Sequence, residues 1–256
     1  MRRTLIPLVG LTAAALLPIG AASAAVAYPV KDKTLTGNSL YAKGALPTTK
    51  CPEKPIKKLD AGSAKSYLNG VLTCLNRTWA VQVRKAGKSF SKAKAVFVTK
   101  APKRFCGAKW LKDWTSYYCG ESRTITIVLT KRFLKEPDDL FLFNLLAVNY
   151  AEHVQKLTSI DNAYQNISYR NKAELAEQNR RYNLQSECFS AAFIASVWDS
   201  LDRTKKDWDD LLYYIRDWAS KDQGSRKSIT YWADRGFKSA DPGSCNTWSA
   251  ASSKVA

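Results

Sequence analysis

Ala147-Val148-Asn149-Tyr150-Ala151-Glu152-His153-Val154-Gln155 contains the single histidine of a 256-residue chain and lies inside a segment with helical periodicity. Phe143, Leu146, Ala147, Tyr150, Val154 and Leu157 recur at three- and four-residue steps, the spacing of one helix face. Pro137-Asp138-Asp139 opens the segment, and acidic residues suit the positive N-terminal end of a helix. The pattern predicts a helix from about residue 137 to 157. One histidine rules out the zinc motif H-E-x-x-H, in which two imidazoles face the metal from adjacent turns. It leaves a Ser-His-Asp triad only His153 to draw on. The sequence holds no G-x-S-x-G elbow, Walker loop or dinucleotide glycine fingerprint.

Other landmarks follow in order. Cys106-Gly107, Tyr118-Cys119 and the apolar run Ile125 to Leu129 lie upstream. Asn183-Leu184-Gln185-Ser186-Glu187-Cys188-Phe189 lies downstream, then Gln223-Gly224-Ser225, Trp232, Gly236-Phe237 and Asp241-Pro242 leading to Cys245. Together with His153-Val154-Gln155 they resemble the signatures A-H-E-x-G-H-H-V-Q, E-L-Q-A-D-C-F and H-G-S-x-x-Q-R-x-x-W-F-x-x-G-F of the bacterial neutral zinc metallopeptidase family. The resemblance covers about residues 70 to 248. It implies an α+β, zincin-like metallopeptidase fold, dominated by helices with a small β-sheet.

The same alignment places Val148 at the first zinc ligand, Asn149 at the general base, Glu152 at the second ligand and Asn183 at the third. Glu187 falls on a carboxylate behind the ligands and Gln223 on the histidine of H-G-S. Valine has no lone pair to donate, and an amide cannot act as a base near neutral pH. No catalytic set is therefore intact, and the zinc expected in the family has no ligands here. The resemblance implies a catalytically inactive pseudopeptidase that acts by binding a peptide or protein, or an anionic surface. Two alternatives stand beside it. One is a hydrolase that holds a hard cation such as Ca²⁺ or Mn²⁺ on Glu152, Glu187 and a further carboxylate. The other is a cationic polyanion-binding protein that makes no use of the cleft.

Six cysteines with no C-x-x-C pair point to disulfides rather than a thiolate metal site. Family pattern and sequence neighbourhood favour Cys51–Cys74, Cys106–Cys119 and Cys188–Cys245. At the N-terminus, Met1-Arg2-Arg3, an apolar stretch from Leu5 to Ala22 and Ala22-Ser23-Ala24 have the three regions of a secretory signal peptide, assigned to residues 1–27. Export of a secreted, extracellular protein is the expectation. After residue 27 no run of eighteen apolar residues remains to form a transmembrane segment. Residues 28–50 are polar, with no sustained apolar period, and read as an extended or poorly ordered arm. The metallopeptidase-like domain is expected over 51–248 and a C-terminal tail over 249–256.

Charge is segregated along the chain. Residues 28–135 contain 23 Lys and Arg against 5 Asp and Glu, whereas residues 136–256 contain 15 against 17. A basic half of this kind suits a polyanion such as an anionic cell-surface polymer, an acidic membrane surface or extracellular nucleic acid. The alternative is that the lysines only solvate the surface. Within that half, residues 63–85 read as a helix, and 95–98 and 124–129 as strands. Trp110, Trp114, Tyr117 and Tyr118 fall in the intervening segment, interleaved with Lys103, Arg104, Lys109 and Lys112. They read either as a stacking platform for rings beside phosphates or as a satellite core under a disulfide. Further helices are predicted at about 171–202, 207–219 and 227–237.

Overall fold

A computed structural model describes residues 28–256. The expected signal peptide, residues 1–27, lies outside them. Helices dominate: α1 (Lys33–Thr36), α2 (Ala61–Lys85), α3 (Lys131–Lys135), α4 (Asp139–Leu157), α5 (Ile160–Asn166), α6 (Lys172–Val197), α7 (Lys205–Ile215) and α8 (Arg226–Ser239). The strands are β1 (Lys94–Val98), β2 (Arg104–Phe105), β3 (Ala108–Lys109), β4 (Ser116–Cys119) and β5 (Thr124–Val128). No helix among the described residues is long and apolar enough to cross a membrane.

Local chemistry fixes where the long helices begin. The Asp60 carboxylate accepts from the Gly62 and Ser63 amides at the start of α2, Asp138 from Phe141 at the start of α4, and Asn171 from Ala173 and Glu174 at the start of α6. Each supplies an acceptor to amides that have no partner within the helix. α6 is the central element, packed between α4 and α8 and buried on most sides. Its approach to α8 depends on Gly236, since a Cβ there would overlap the Cys188 carbonyl oxygen. No residue larger than glycine fits that crossing.

The main sheet has the order β1-β5-β4, with β1 parallel to β5 and β4 antiparallel to it. β4 lies against α4, and β1 against α2. The sequence shows β1 and β5 as β-branched runs but reads the region between them as a loop. It instead holds the β2–β3 hairpin and β4, whose Ser116-Tyr117-Tyr118-Cys119 has aromatic rather than aliphatic side chains. Phe105, Trp110, Trp114 and Tyr117 pack on one another there, with Trp114 and Tyr117 stacked at 4.8 Å. Trp110 is buried, and its indole N–H donates to the Trp114 carbonyl. The rings form a satellite cluster outside the main core, with Trp110 buried and Phe105, Trp114 and Tyr117 partly exposed.

Two segments differ from expectation. Residues 28–50 are not an extended arm: α1 and a 3-10 turn at Ser39–Ala42 bury Leu35, Leu40 and Leu46 in the core. Three leucines spread over twelve residues make no periodic pattern, so composition alone read as polar. The tail 249–256 is also bound, with Val255 buried and the Val255 carbonyl accepting from Arg180 Nε at 2.6 Å. The three disulfides Cys51–Cys74, Cys106–Cys119 and Cys188–Cys245 are all formed.

Candidate functional site

α4 and α6 run antiparallel. Asn144 accepts from Ser190 at one end, and Gln155 meets Tyr182, Gln185 and Ser186 at the other. Val148 and Glu152 lie one and two turns beyond Asn144 on the same face of α4, so they look toward α6. That is where the sequence places a cleft. The structure fills much of it with structural contacts.

Asn149, which the resemblance sets against the general base, donates its amide to Ser116 Oγ at 2.8 Å and to the Leu145 carbonyl at 2.8 Å. It fastens α4 to β4, and an amide has no basic lone pair with which to take a proton. His153 is buried, with Nδ1 2.9 Å from the Tyr118 hydroxyl and Nε2 2.8 Å from the Ser91 carbonyl. A carbonyl only accepts, so Nε2 carries the proton and Nδ1 accepts from Tyr118. Burial holds the His153 pKa below its ordinary value, the Ser91 bond opposing this and nearby Arg123 adding to it. His153 is a neutral structural tie between α4, β4 and the loop before β1.

Glu152 is half-buried, and its carboxyl is pushed up to about 8 by burial first and by the charge of Asp161 second. Tyr117, Tyr118, Tyr164 and Tyr182 surround it, and burial raises all four phenols, with Glu152 adding to each. Asp161 pairs with Lys156 at 3.1 Å. On α6, Glu187 is 4 % exposed, and burial pushes its pKa up to about 8 while the Asn144 amide acts to lower it. Glu187 Oε2 and Asn144 Nδ2 are both buried without a full hydrogen bond. Glu187 is thus held beside Asn144, two turns of α4 away from Glu152.

Asn183 turns outward, its amide donating to the Asp222 carbonyl at 2.9 Å. Gln223, next to that carbonyl, is exposed. The fold therefore ties Asn183 to the loop that carries Gln223. Zinc takes three or four nitrogen, sulfur or oxygen ligands in tight geometry. A valine, an amide engaged elsewhere and a single raised carboxylate do not fit that requirement, and no step is derived through a metal. Among the described residues, one trio of ligand-type atoms gathers within 4.8 Å: Cys106, Cys119 and Glu121. Both sulfurs are in a disulfide and have no thiolate to give. Neither Glu152 nor Glu187 belongs to such a trio. Two cavities, of about 340 and 470 Å³, adjoin Arg180, Lys221 and Ala256, and neither is lined by Val148, Glu152 or Glu187.

Sequence reading missed the role of the residues that carry the landmarks. Gln155 donates to Gln185 Oε1 at 3.0 Å, and Gln185 donates to the Tyr41 hydroxyl at 2.8 Å and the Cys245 carbonyl at 3.1 Å. The Trp248 indole N–H also donates to Gln185 Oε1, and the Ser186 hydroxyl donates to Gln155 Oε1. The glutamines of the two signatures form one buried network that ties α4, α6, the N-terminal segment and the C-terminal segment together.

The other feature is electrostatic. Every ion pair among the described residues takes its cation from position 156 or later. The 23 Lys and Arg of residues 28–135 pair with no carboxylate, and all but Lys88 are exposed. The charge asymmetry of the sequence is thus an asymmetry of unneutralised surface charge.

No family model matches the chain, and no solved structure matches it. It is similar to the protein named Uncharacterized protein YpfJ in two strains of Escherichia coli, 27% identical over 210 residues. The alignment spans 72% of this chain and 71% of that protein, whose name states no activity.

Proposed function

We propose that this protein is an exported, catalytically inactive relative of the neutral zinc metallopeptidases that works by binding an anionic surface through its basic half. The observation that carries the reading is the set of 23 cations in residues 28–135, exposed apart from Lys88 and left without carboxylate partners. Exposed charge left unneutralised opposes compaction and favours polyanions, whose bound counterions are released on contact. The α4–α6 contact supports the inactive part of the reading. Asn149 and Asn183 spend their amides on neighbouring structure, and Glu187 is sealed beside Asn144. Three disulfides agree with an oxidising compartment.

The test is retention of the purified protein on an immobilised polyanion across a salt series, together with elemental analysis after dialysis against zinc, manganese and calcium. The reading expects affinity to fall steeply with salt and no stoichiometric metal. Salt-insensitive binding would sink the anionic-surface part and turn attention to peptide in the cleft. Stoichiometric zinc would restore the peptidase.

A further inference from the structure

Leu59 is 67 % exposed, the most exposed of the large apolar side chains among the described residues, and its backbone sits at φ 59°. A leucine in the left-handed region is costly, because its Cβ crowds the following carbonyl. Its amide nonetheless donates to the Leu134 carbonyl at 2.6 Å, which holds the turn against α3. That bond joins two segments about 75 residues apart. Lys57 and Lys58 precede Leu59, and Lys131, Arg132 and Lys135 flank Leu134; all five are exposed and free of ion pairs. The carboxylates closest in sequence are mostly occupied. Glu53 and Asp139 bind Arg203, and Asp60 and Asp138 cap helices, which leaves Glu136.

We infer that this turn is the contact point with an anionic lipid bilayer, Leu59 entering the headgroup layer while Lys57, Lys58, Lys131, Arg132 and Lys135 meet the lipid phosphates. The inference rests on the anionic-surface reading above and narrows it. A soluble polyanion rewards cations but gives no return for an apolar tip held outward against backbone strain. A bilayer rewards both, since interfacial binding adds buried apolar area to attraction for anionic headgroups.

The test is sedimentation of the purified protein with vesicles of 30 % phosphatidylglycerol in phosphatidylcholine, beside pure phosphatidylcholine vesicles and soluble polyphosphate. Leu59→Asn is the informative variant, because asparagine accepts the left-handed conformation and the fold should melt no lower than before. It is expected to weaken vesicle binding by about tenfold and to leave polyphosphate binding unchanged. Lys57→Ala with Lys58→Ala should weaken vesicle binding by about 25-fold, roughly fivefold for each cation near the surface. Lys85→Ala with Lys92→Ala, exposed cations at and beyond the far end of α2, should have a much smaller effect. Vesicle binding indifferent to Leu59→Asn, or equal losses from the two lysine pairs, overturns the docking site. Binding to polyphosphate but not to vesicles overturns the lipid assignment and keeps the anionic-surface reading. Binding to neither overturns both.

Discussion

Replacing Glu187 with glutamine should stabilise the protein at pH 7 and above and leave it nearly unchanged near pH 4. The Glu187 side chain is 4 % exposed, its Oε2 has no partner, and burial pushes its pKa up to about 8. In the unfolded chain the group titrates at about 4.3. Between those values the folded protein keeps a proton that the unfolded chain has released, so stability falls as pH rises, by about 1.4 kcal/mol per unit. By pH 7 the accumulated loss is about 3.5 kcal/mol, a large part of the roughly 5–15 kcal/mol that typically holds a domain together. Glutamine has the shape of the protonated acid and cannot ionise, and its oxygen can accept from Asn144 Nδ2, which has no partner either. Glu152, half-buried and also pushed up to about 8, adds a smaller slope in the same direction. His153 acts oppositely, because its lowered pKa gives stability that is lost as pH falls below its ordinary value of about 6.5. Urea unfolding followed by tryptophan fluorescence at pH 6.5, 7, 7.5 and 8, with disulfides intact, isolates the carboxylates. The wild type should lose stability across this series and the variant should lose markedly less. Parallel lines, or a variant weaker than wild type at pH 8, would mean that Glu187 is ionised and satisfied in the fold.

Three further substitutions probe the framework. His153→Phe leaves the buried Tyr118 hydroxyl and the Ser91 carbonyl without their partner and should cost about 2–3 kcal/mol in urea unfolding; a neutral result would remove the structural role given to His153. Gly236→Ala drives a Cβ into the Cys188 carbonyl and forces α8 off α6, which should cost about 1–3 kcal/mol and lower the melting temperature. Alanine at both Cys188 and Cys245 opens a loop spanning 57 residues and should lose about 4 kcal/mol by the chain-entropy argument, read from the urea midpoint under non-reducing conditions.

Periodicity made the helices legible, since α2, α4, α6 and α8 each show an apolar face at helical steps, and short β-branched runs disclosed β1 and β5. β4 stayed hidden because Ser116-Tyr117-Tyr118-Cys119 owes its strand to pairing with β5 and packing on α4, neither of which is local. Residues 28–50 misled for a similar reason: Leu35, Leu40 and Leu46 are held in the core singly by partners far along the chain, as when Asn38 donates to the Thr158 carbonyl. In the candidate site, sequence named Val148, Asn149, Glu152, Asn183, Glu187 and Gln223 but could not say which would meet. Asn183 goes to the Asp222 carbonyl and Glu187 to Asn144, and both partners lie on other elements, where no local pattern in α6 points to them.

That division has an energetic logic on the reading proposed here. Metal ligands without a metal are liabilities, since buried donors, acceptors and charges left unpaired each cost about 1–3 kcal/mol or more. Valine at 148 removes one such group, and the amides at 149 and 183 find structural partners. Gln155, Gln185, Cys188 and Gly236 answer to a different constraint. Two hold a satisfied buried network, one a disulfide and one the closest helix crossing, so changing any of them damages the fold whether or not the protein is an enzyme. Glu152 and Glu187 belong to neither class. They remain ionisable where ionisation is unfavourable, so the cost of the vacated site is concentrated in two carboxylates, and the pH dependence of stability is where that cost becomes measurable.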